Sequence, residues 1–452
     1  MTQTQNLTKA AVKKVAIIGS GIAGLSAAWH LSEDPRAHVT LFESESRPGG
    51  HAHTVDVTVG GKTFGVDTGF LVFNHKTYPG LTPFFEQHGV VTAPSDMGFS
   101  VQVGTRTSHS QYGLQANLEW AGNSLSSVFT QRKNLLSPRF WRMLKDMLRF
   151  NKAATRFALQ PPNTTQTLGE YLVANRYSNA LRDWYLIPMA AAIWSCPTQT
   201  MLAYPMATFS RFCHNHGLLQ ITNRPQWYTV QGGSRNYVRK VLEALSSKGC
   251  EIRLGQAVTK IERADDSGDG GVTLHTAAGA EHFDAVVVAT HSDQALRLLD
   301  APTADEQRVL GAIRYQPNLA VLHTDSSVLP SHQRAWAAWN YETQSSNANP
   351  NHQRVCLHYL LNKLQPLPVG MGTPVLVSLN PLGKIDPAKV IQTFDYDHPV
   401  FDTAAILAQQ GLPSIQGQQG VWFAGAWANY GFHEDGFQSG KAAAQGVLAG
   451  LK

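Results

Sequence analysis

Three glycines near the start of the chain have the spacing that binds a pyrophosphate. Gly19, Gly21 and Gly24 form the pattern G-x-G-x-x-G, with Ser20 and Ala23 between them. The first glycine permits a tight turn, the second lets the backbone approach the phosphates, and the third allows a helix to pack closely on a strand. The free N–H groups and the helix dipole at such a turn attract the phosphate charge.

A carboxylate follows at the distance where a ribose is held. Glu43 can accept hydrogen bonds from both ribose hydroxyls, and it would repel a 2′-phosphate, so the pattern disfavours NADP. Arg47 comes next and can reach a phosphate, and the pair Gly49 and Gly50 brings more backbone to an extended cofactor. We therefore expect FAD rather than NAD.

These residues can bind a dinucleotide only if a strand precedes the glycines and a helix follows them. Hydrophobic patterning predicts a buried strand over residues 13–18, a helix over 25–31 and a second strand over 39–43. This is half of a Rossmann-type unit. Further buried strands are predicted at 285–289 and 421–425.

The pieces typical of a nucleotide-binding domain thus occur in three separated blocks. We predict an α/β protein with a discontinuous, Rossmann-like FAD-binding domain and an inserted α+β substrate domain of mixed sheet and helices. The FAD-binding domain comprises residues 13–77, 225–300 and 416–452, the substrate domain comprises 78–224 and 301–415, and residues 1–12 form a flexible tail.

The opening resembles that of the flavin amine oxidase superfamily, which includes monoamine oxidases, phytoene desaturases and protoporphyrinogen oxidases. All of them bind FAD, and they share the order GxGxxGL, glutamate, R-x-GG with this chain. Later segments match the superfamily as well. The cofactor-binding residues that this resemblance adds are His51, Asp67, Gly69, Phe70, Val258, Ala289, Thr290, Gly425, Phe432 and Gly436.

The closing block of the superfamily begins with a helix N-terminus. The resemblance places this N-terminus near Gly436, where it would point at the pyrimidine oxygen of the flavin and stabilise the reduced anion.

A narrower resemblance covers the whole chain. The segments 49–54, 187–195, 214–219, 289–294 and 431–436 are similar to a bacterial family usually labelled "NAD/FAD-binding protein" or "amine oxidase". Its members are often encoded beside cyclopropane-fatty-acyl synthases, and relatives have been linked to modifying the acyl chains of membrane lipids. The resemblance therefore implies a hydrophobic or lipid-like substrate.

The chain departs from amine oxidases where those enzymes hold their substrate. They grip the amine between two tyrosine rings, whereas Phe432 takes one of these positions here and Tyr430 lies two residues away. Ala426 follows Gly425, so the usual carboxylate is absent. Because no cysteine follows Cys356, the cysteinyl link to the flavin has no candidate, and we expect non-covalent FAD.

Two side chains are candidates for catalysis. His433 lies in the turn 431–436, and its pKa permits proton transfer. Lys363 is a candidate for the lysine that orders a water at the flavin N5. His214 and His216 would share one face of a strand, and packing is the favoured interpretation for them. No carboxylate at a useful spacing completes a metal site, so we expect no metal.

A helix predicted over residues 138–158 belongs to a strongly basic segment. Residues 131–156 carry eight lysines and arginines against the single carboxylate of Asp146. Phe140 and Trp141 are interleaved with them. The helix either packs on the substrate domain with a solvated basic face or lies on an anionic membrane surface. A second helix is predicted over 167–193, and we expect no nucleic-acid binding.

Composition is compatible with several functions. The net charge is +5, the four cysteines have no metal or redox spacing, and no apolar signal core opens the chain. We expect a cytoplasmic location, with peripheral binding to the inner face of the cytoplasmic membrane left open. Three functions remain: dehydrogenation or desaturation of a lipid acyl chain by hydride transfer to flavin N5, oxidation of a small amine, and a FAD-dependent isomerase or partner of a lipid methyltransferase. No second dinucleotide motif occurs, so the sequence does not identify the electron acceptor.

Overall fold

A computed structural model describes most of the chain, namely residues 12–105, 115–159, 166–194, 201–220, 224–264, 270–344 and 356–451. The predicted flexible tail lies outside the described residues except for residue 12. Among the described residues, no helix combines the length and the hydropathy needed to cross a bilayer.

The described residues form nineteen strands. In chain order they are β1 (Lys13–Ile18), β2 (Ala37–Phe42), β3 (Thr54–Val59), β4 (Lys62–Asp67), β5 (Thr92–Ser95), β6 (Phe99–Thr105), β7 (Gln115–Ala121), β8 (Trp227–Val230), β9 (Glu251–Arg253), β10 (Val258–Arg263), β11 (Val272–Thr276), β12 (Gly279–Phe283), β13 (Ala285–Val288), β14 (Arg314–His323), β15 (Trp339–Gln344), β16 (Cys356–Leu360), β17 (Leu376–Leu379), β18 (Val390–Val400) and β19 (Val421–Phe423).

The same residues form fourteen α-helices, besides short 3₁₀ turns and one π turn. They are α1 (Ile22–Ser32), α2 (Leu81–Gln87), α3 (Leu125–Val128), α4 (Pro138–Ala158), α5 (Leu168–Ala174), α6 (Asn179–Leu181), α7 (Ile187–Trp194), α8 (Met206–Asn215), α9 (Arg235–Ser247), α10 (Ser292–Leu298), α11 (Ala304–Gly311), α12 (Leu361–Leu364), α13 (Thr403–Gly411) and α14 (His433–Gly450).

A five-stranded parallel sheet positions the glycine-rich turn. Its strand order is β19-β13-β1-β2-β9. Along β1, Val15 and Ile17 enter one apolar core while Ala16 and Ile18 enter another. Both faces of the sheet are therefore buried, which explains why residues 15–18 of β1 are an uninterrupted apolar run. Helices α1 and α14 pack against each other on the first of these faces.

A seven-stranded mixed sheet forms the second layer of the molecule. Its order is β18-β14-β17-β16-β15-β6-β7, in which only the β15–β6 pair is parallel. One face carries apolar residues such as Val101, Leu322 and Leu357, which join a large core with the buried face of α4. The strands of this sheet come from residues 99–121 and 314–400.

The prediction of one helix over residues 167–193 is wrong. Helix α5 ends at Ala174, and Arg176 adopts a left-handed backbone with φ of 53°. The chain then continues through α6, a π turn over Arg182–Leu186, and α7. A left-handed residue stops helix propagation because its Cβ crowds the following carbonyl.

A second difference concerns the histidine pair at 214 and 216. His214 lies in helix α8 and His216 caps its C-terminus, so the two do not share the face of a strand. The helix forms because Met206, Phe209 and Cys213 recur at helical spacing and are all buried.

Candidate cofactor and active site

The glycine-rich turn leaves room for a pyrophosphate. Strand β1 ends at Ile18 and helix α1 begins at Ile22, and no side chain caps the helix at Gly21. A Cβ built on Gly21 would meet no heavy atom within 4 Å, whereas one on Gly24 would lie 1.8 Å from the carbonyl oxygen of Gly19. Open space therefore faces the free N–H groups of α1, as a bound phosphate requires.

Ser20 connects the three parts of the expected dinucleotide site. Its backbone N–H and its hydroxyl donate to Glu43 Oε2, at 2.9 and 2.6 Å. The Ser20 Oγ also accepts the Gly49 N–H at 3.0 Å. Oε1 of Glu43 accepts the Glu45 N–H and, at 3.2 Å, the exposed hydroxyl of Ser44. A carboxylate has about four acceptor positions, so a ribose hydroxyl would take the place of the Ser44 hydroxyl.

We expect Glu43→Ala to weaken FAD binding without unfolding the protein. Lost charge-assisted hydrogen bonds should cost about 1.5–3 kcal/mol, which is roughly 10- to 150-fold in Kd. Titration of the apoprotein with FAD, followed by flavin fluorescence, measures the change. Glu45→Ala is the control, because that exposed side chain bonds to Arg47. Equal affinities of the Glu43 variant and the wild type would refute a ribose-holding role.

The second glycine pair lies directly against the first turn. Gly49 and Gly50 adopt left-handed backbones with φ of 112° and 55°, and a Cβ on Gly50 would lie 3.2 Å from the Cα of Gly21. Arg47 donates to the Gly50 carbonyl at 3.0 Å and pairs with Glu45 at 3.1 Å. Arg47 thus fixes the shape of this turn, and its contact with a phosphate remains a prediction.

His51 offers a buried nitrogen that has no hydrogen-bond partner among the described residues. The atom is Nε2, and the ring lies near Tyr396, His398 and His291, at centroid distances of 5.3, 5.7 and 6.1 Å. Burial, together with the neighbouring His398 and His291, lowers the pKa of His51, so the imidazole is neutral. An orphaned polar atom in this position fits a hydrogen bond to a bound cofactor.

Asp67 is one of the predicted cofactor residues, and protein donors surround it. The carboxylate accepts the N–H and hydroxyl of Ser234, the Thr54 hydroxyl and the Gln365 amide, at 2.6–3.0 Å. Its side chain is 1% exposed. Asp67 therefore joins β3, β4 and the start of α9. The backbone of Gly69 packs closely against that of His51, because a Cβ on Gly69 would lie 2.3 Å from the His51 carbonyl oxygen.

The residues after β13 pack against the end of β1 and the glycine-rich turn. The Ala289 N–H donates to the Ile18 carbonyl at 2.8 Å, and a Cβ on Gly19 would lie 2.9 Å from the Ala289 carbonyl oxygen. The Thr290 carbonyl accepts the Trp427 indole N–H at 3.0 Å. Val258, expected to contact adenine, begins β10 and is buried. Its contact with adenine stays a prediction.

The closing helix α14 starts at His433 and packs on α1. A Cβ on Gly440 would lie 2.0 Å from the Ala23 carbonyl oxygen, and one on Gly436 would lie 2.8 Å from Ile22. Only glycine permits this approach. Gly425, just after β19, is buried, and a Cβ on it would overlap the Trp427 indole.

His433 is held between an aromatic ring and a phenol. Its ring stacks on Phe70 with centroids 3.6 Å apart, and its Nε2 shares a 3.0 Å hydrogen bond with the Tyr237 hydroxyl. Burial lowers the pKa of His433 to about 3, so the imidazole is neutral and a weak base. Its predicted proton-transfer role finds no support in this pKa and stays a prediction.

The two carboxylates after His433 organise the turn. Glu434 accepts the N–H groups of Gly80 and Leu81, at 2.8 and 2.9 Å, at the start of α2. Asp435 accepts the Phe432 N–H at 2.9 Å. Burial raises the pKa of Asp435 to about 7, which is close to neutral pH.

An aromatic wall stands beside the start of α14. Phe212 stacks on Phe432 and on His216, with centroids 5.0 and 4.0 Å apart, and lies 5.6 Å from the Tyr430 ring. Burial lowers the pKa of His216 to about 4, so this histidine is also uncharged. The sequence did not predict the wall because Tyr430 and Phe432 lie about 220 residues away from Phe212 and His216. We call Phe212, His216, Tyr430 and Phe432 the aromatic wall.

Lys363, the other catalytic candidate, lies in α12. Its amine pairs with Asp96 Oδ2 at 3.8 Å. Its predicted role at the flavin N5 remains untested.

A buried polar cluster in the mixed sheet was not predicted. Glu342, Cys356 and His358 bring three metal-type ligand atoms within 4.8 Å of one another. The Asp325 N–H donates to His323 Nδ1, so the neutral His323 directs its Nε2 proton at Ser378.

The Ser378 hydroxyl then donates to His358 Nδ1 at 2.6 Å, which leaves the His358 proton on Nε2, 2.9 Å from Glu342. The cluster is therefore a hydrogen-bonded network of the sheet interior.

Known proteins share these features. A family model described as flavin containing amine oxidoreductase matches residues 22–363. A stretch of 39 residues is 59% identical to the coproporphyrinogen III oxidase of Staphylococcus aureus (strain NCTC 8325 / PS 47), and this match spans only 8% of the length of each chain.

Solved structures with the same fold match nearly the whole chain. A protein assigned as a protoporphyrinogen oxidase from Exiguobacterium sp. 255-15 has a TM-score of 0.67 and 18% identity, covering 98% of this chain and 100% of its own. A CLA-producing fatty acid isomerase from P. acnes has a TM-score of 0.64 and 15% identity, covering 96% and 98%. Identities this low show the fold alone.

The family model, matched over residues 22–363 on a chain with this dinucleotide site, defines a FAD-dependent oxidoreductase. Because the family model matches most of its length, the chain belongs to the flavin-containing amine oxidoreductase family. The predicted α/β fold class and the FAD cofactor are thereby confirmed.

Proposed function

We propose that this chain uses FAD to remove two hydrogens from an acyl chain or a similarly apolar carbon skeleton. When bound, FAD supplies the hydride acceptor, and a separate electron acceptor reoxidises it. The observation that carries the proposal is the aromatic wall at the start of α14. Its side chains are apolar or neutral, so they favour an uncharged hydrocarbon and exclude water from it.

The protein residues have separate tasks in this reaction. Ser20, Gly21 and Glu43 hold the cofactor, and the aromatic wall holds the substrate. The proton released with the hydride needs an acceptor. Asp435 suits this task better than His433, because it accepts the N–H of Phe432 in the aromatic wall at 2.9 Å and burial raises its pKa to about 7, whereas burial lowers the pKa of His433 to about 3.

Oxidation of a small amine is less well supported. A substrate ammonium binds to the open faces of aromatic rings, and here Phe212 stacks on Phe432 and partly covers it. The narrower resemblance to bacterial proteins associated with cyclopropane-fatty-acyl synthases also favours an acyl substrate. A FAD-dependent isomerase is a second candidate, since a fatty acid isomerase shares the fold.

Anaerobic mixing of the FAD-loaded protein with candidate substrates tests the proposal. We expect unsaturated and saturated phospholipid acyl chains in detergent to bleach the oxidised flavin, and mass spectrometry to show a product lacking two hydrogens. A product of unchanged mass would instead identify an isomerase. Bleaching by primary amines, without any response to acyl chains, would refute the proposal in favour of amine oxidation.

A further inference from the structure

Exposed apolar side chains are concentrated in the segment of the chain that contains helix α4. Seven of the fourteen large apolar side chains that the described residues expose lie between residues 125 and 173. Such a concentration marks an interaction surface. The seven are Leu125, Leu135, Leu136, Trp141, Leu148, Leu159 and Val173, with exposures of 47–88%.

Three of these side chains, two in α4 and one at its C-cap, form a ridge along the helix. At 100° per residue, Trp141, Leu148 and Leu159 fall within about 20° of one line that is roughly 27 Å long. Lys145 and Lys152 lie within about 40° of the same line and alternate with the apolar side chains. We call these five residues the α4 ridge.

The turn before α4 continues the ridge. The Trp141 indole N–H donates to the Leu135 carbonyl at 2.9 Å, which fixes the turn beside the start of the helix. Leu136, in the same turn, is 88% exposed.

The charge around the ridge is positive and largely unneutralised. Asp146, the only carboxylate of residues 132–159, is 2% exposed and pairs with Arg142 and Arg149. Within the described part of the chain, Lys145 and Lys152 form no ion pair. Six cations of residues 131–156 have no ion pair among the described residues. One of them, Arg139, stacks on the Trp184 ring, and the other five are Arg132, Lys133, Lys145, Lys152 and Arg156.

Two surface hollows beside the ridge each contain a pair of these cations. One, of about 430 Å³, is lined by Leu148, Asn151, Lys152, Thr155, Arg156 and Leu219. The other, of about 480 Å³, is lined by Thr130, Gln131, Arg132, Lys133 and His332. Paired cations beside hydroxyl and amide groups suit a phosphate headgroup.

We propose that the α4 ridge and the preceding turn bind the surface of a bilayer that contains anionic phospholipid. The helix lies in the interface plane, with Trp141, Leu148 and Leu136 among the acyl chains and the lysines at the phosphates. A nucleic acid would match the cations but would leave the leucines in water. The inference deepens the proposed function, since it gives an enzyme of acyl chains access to them.

Co-sedimentation with phosphatidylcholine vesicles, with and without phosphatidylglycerol, tests this binding on the FAD-loaded protein. We expect binding only to the anionic vesicles, weakened by high salt. Lys145→Glu with Lys152→Glu should reduce it by roughly tenfold or more, with FAD content unchanged. The matched control is Arg297→Glu with Arg308→Glu, which changes the net charge equally on two exposed helices and should bind as the wild type does.

The double variant Leu136→Ser with Leu148→Ser separates the insertion of apolar side chains into the bilayer from the electrostatic attraction of the cations to anionic headgroups. We expect this double variant to lose binding at a lower salt concentration than the wild type does. Salt screens the attraction of the lysines but not the apolar contribution of the leucines, which the variant lacks. Absence of wild-type binding at low salt would overturn the inference, and so would an equal loss in the arginine control. Tighter binding of duplex DNA, indifferent to the leucines, would also overturn it. Acyl-chain turnover in detergent does not need the ridge, so the proposed function can survive such results.

Discussion

Gly21→Val should abolish FAD binding while leaving the protein folded. A Cβ at this position meets no protein atom within 4 Å, so the valine side chain fits the empty protein but occupies the space where the pyrophosphate must lie. The purified variant should be colourless and should not recover colour when FAD is added. Circular dichroism and an unfolding curve should match those of the wild-type apoprotein.

Two further glycines make this result interpretable. Gly370→Val is the matched control, because a Cβ there also meets nothing within 4 Å and the residue lies in an exposed turn. That variant should bind FAD normally. Gly24→Val should instead lower stability, since its Cβ would lie 1.8 Å from the Gly19 carbonyl oxygen. A yellow Gly21→Val protein would show that the cofactor lies elsewhere.

Asp67→Ala should cost about 4 kcal/mol of stability, the largest effect that we expect from a single polar side chain. The reason is that donors from Thr54, Ser234 and Gln365 converge on this buried carboxylate and would lose their acceptor together. Chemical denaturation of the apoprotein measures the change. Asp56→Ala on the same hairpin is the control, because its ion pair with Arg235 is exposed and should contribute about 0–1 kcal/mol.

The same carboxylate predicts a pH dependence. Burial, which outweighs the hydrogen bonds from Thr54 and Ser234, raises the pKa of Asp67 from 3.8 to about 6. Because the pKa is raised in the folded state, the contribution of Asp67 to the free energy of unfolding is fully present below pH 3.8. It falls by about 3 kcal/mol as the pH rises through 6. The difference in stability between wild type and Asp67→Asn should change across that window. A constant difference from pH 4 to 7 would refute the raised pKa.

The nucleotide-binding elements were predictable because the motif requires them locally. The strand expected over residues 13–18 is β1, and the expected helix over 25–31 is the centre of α1. Helix α4 also has its predicted bounds. In each case the apolar period, the glycines or Pro138 lie within the element itself, so neighbours in sequence suffice to define it.

Strands β6 and β7 could not be predicted in this way. Gln102 in β6 and Glu119 in β7 are buried, which breaks the alternation that marks a half-buried strand. Their partners are far away in sequence: Gln102 donates to the Val328 carbonyl, and Glu119 accepts from Ser331 and His332. A polar residue that is satisfied only in three dimensions looks like a loop residue in the sequence.

The candidate site shows the same limit. Its glycines and Glu43 were evident from spacing, whereas the residues that surround His51 were not. Tyr396 and His398 come from β18, at the edge of the other sheet, and reach His51 across the molecule. The hydrogen bond between Ser20 and Glu43 is a property of the folded turn.

The order of strands in the parallel sheet has a consequence for biosynthesis. β1, which carries the phosphate-binding turn, is paired on one side with β2, but on the other with β13, which in turn pairs with β19 near residue 421. Helix α14, which covers α1, is later still. Strand β1 therefore cannot complete its sheet until residues 285–288 and 421–423, more than 260 residues further along the chain, have been synthesised. Such distant pairing slows folding and leaves the apolar residues of β1 open to aggregation during synthesis, so the phosphate-binding turn obtains its packing against Ala289 only after that residue has been made.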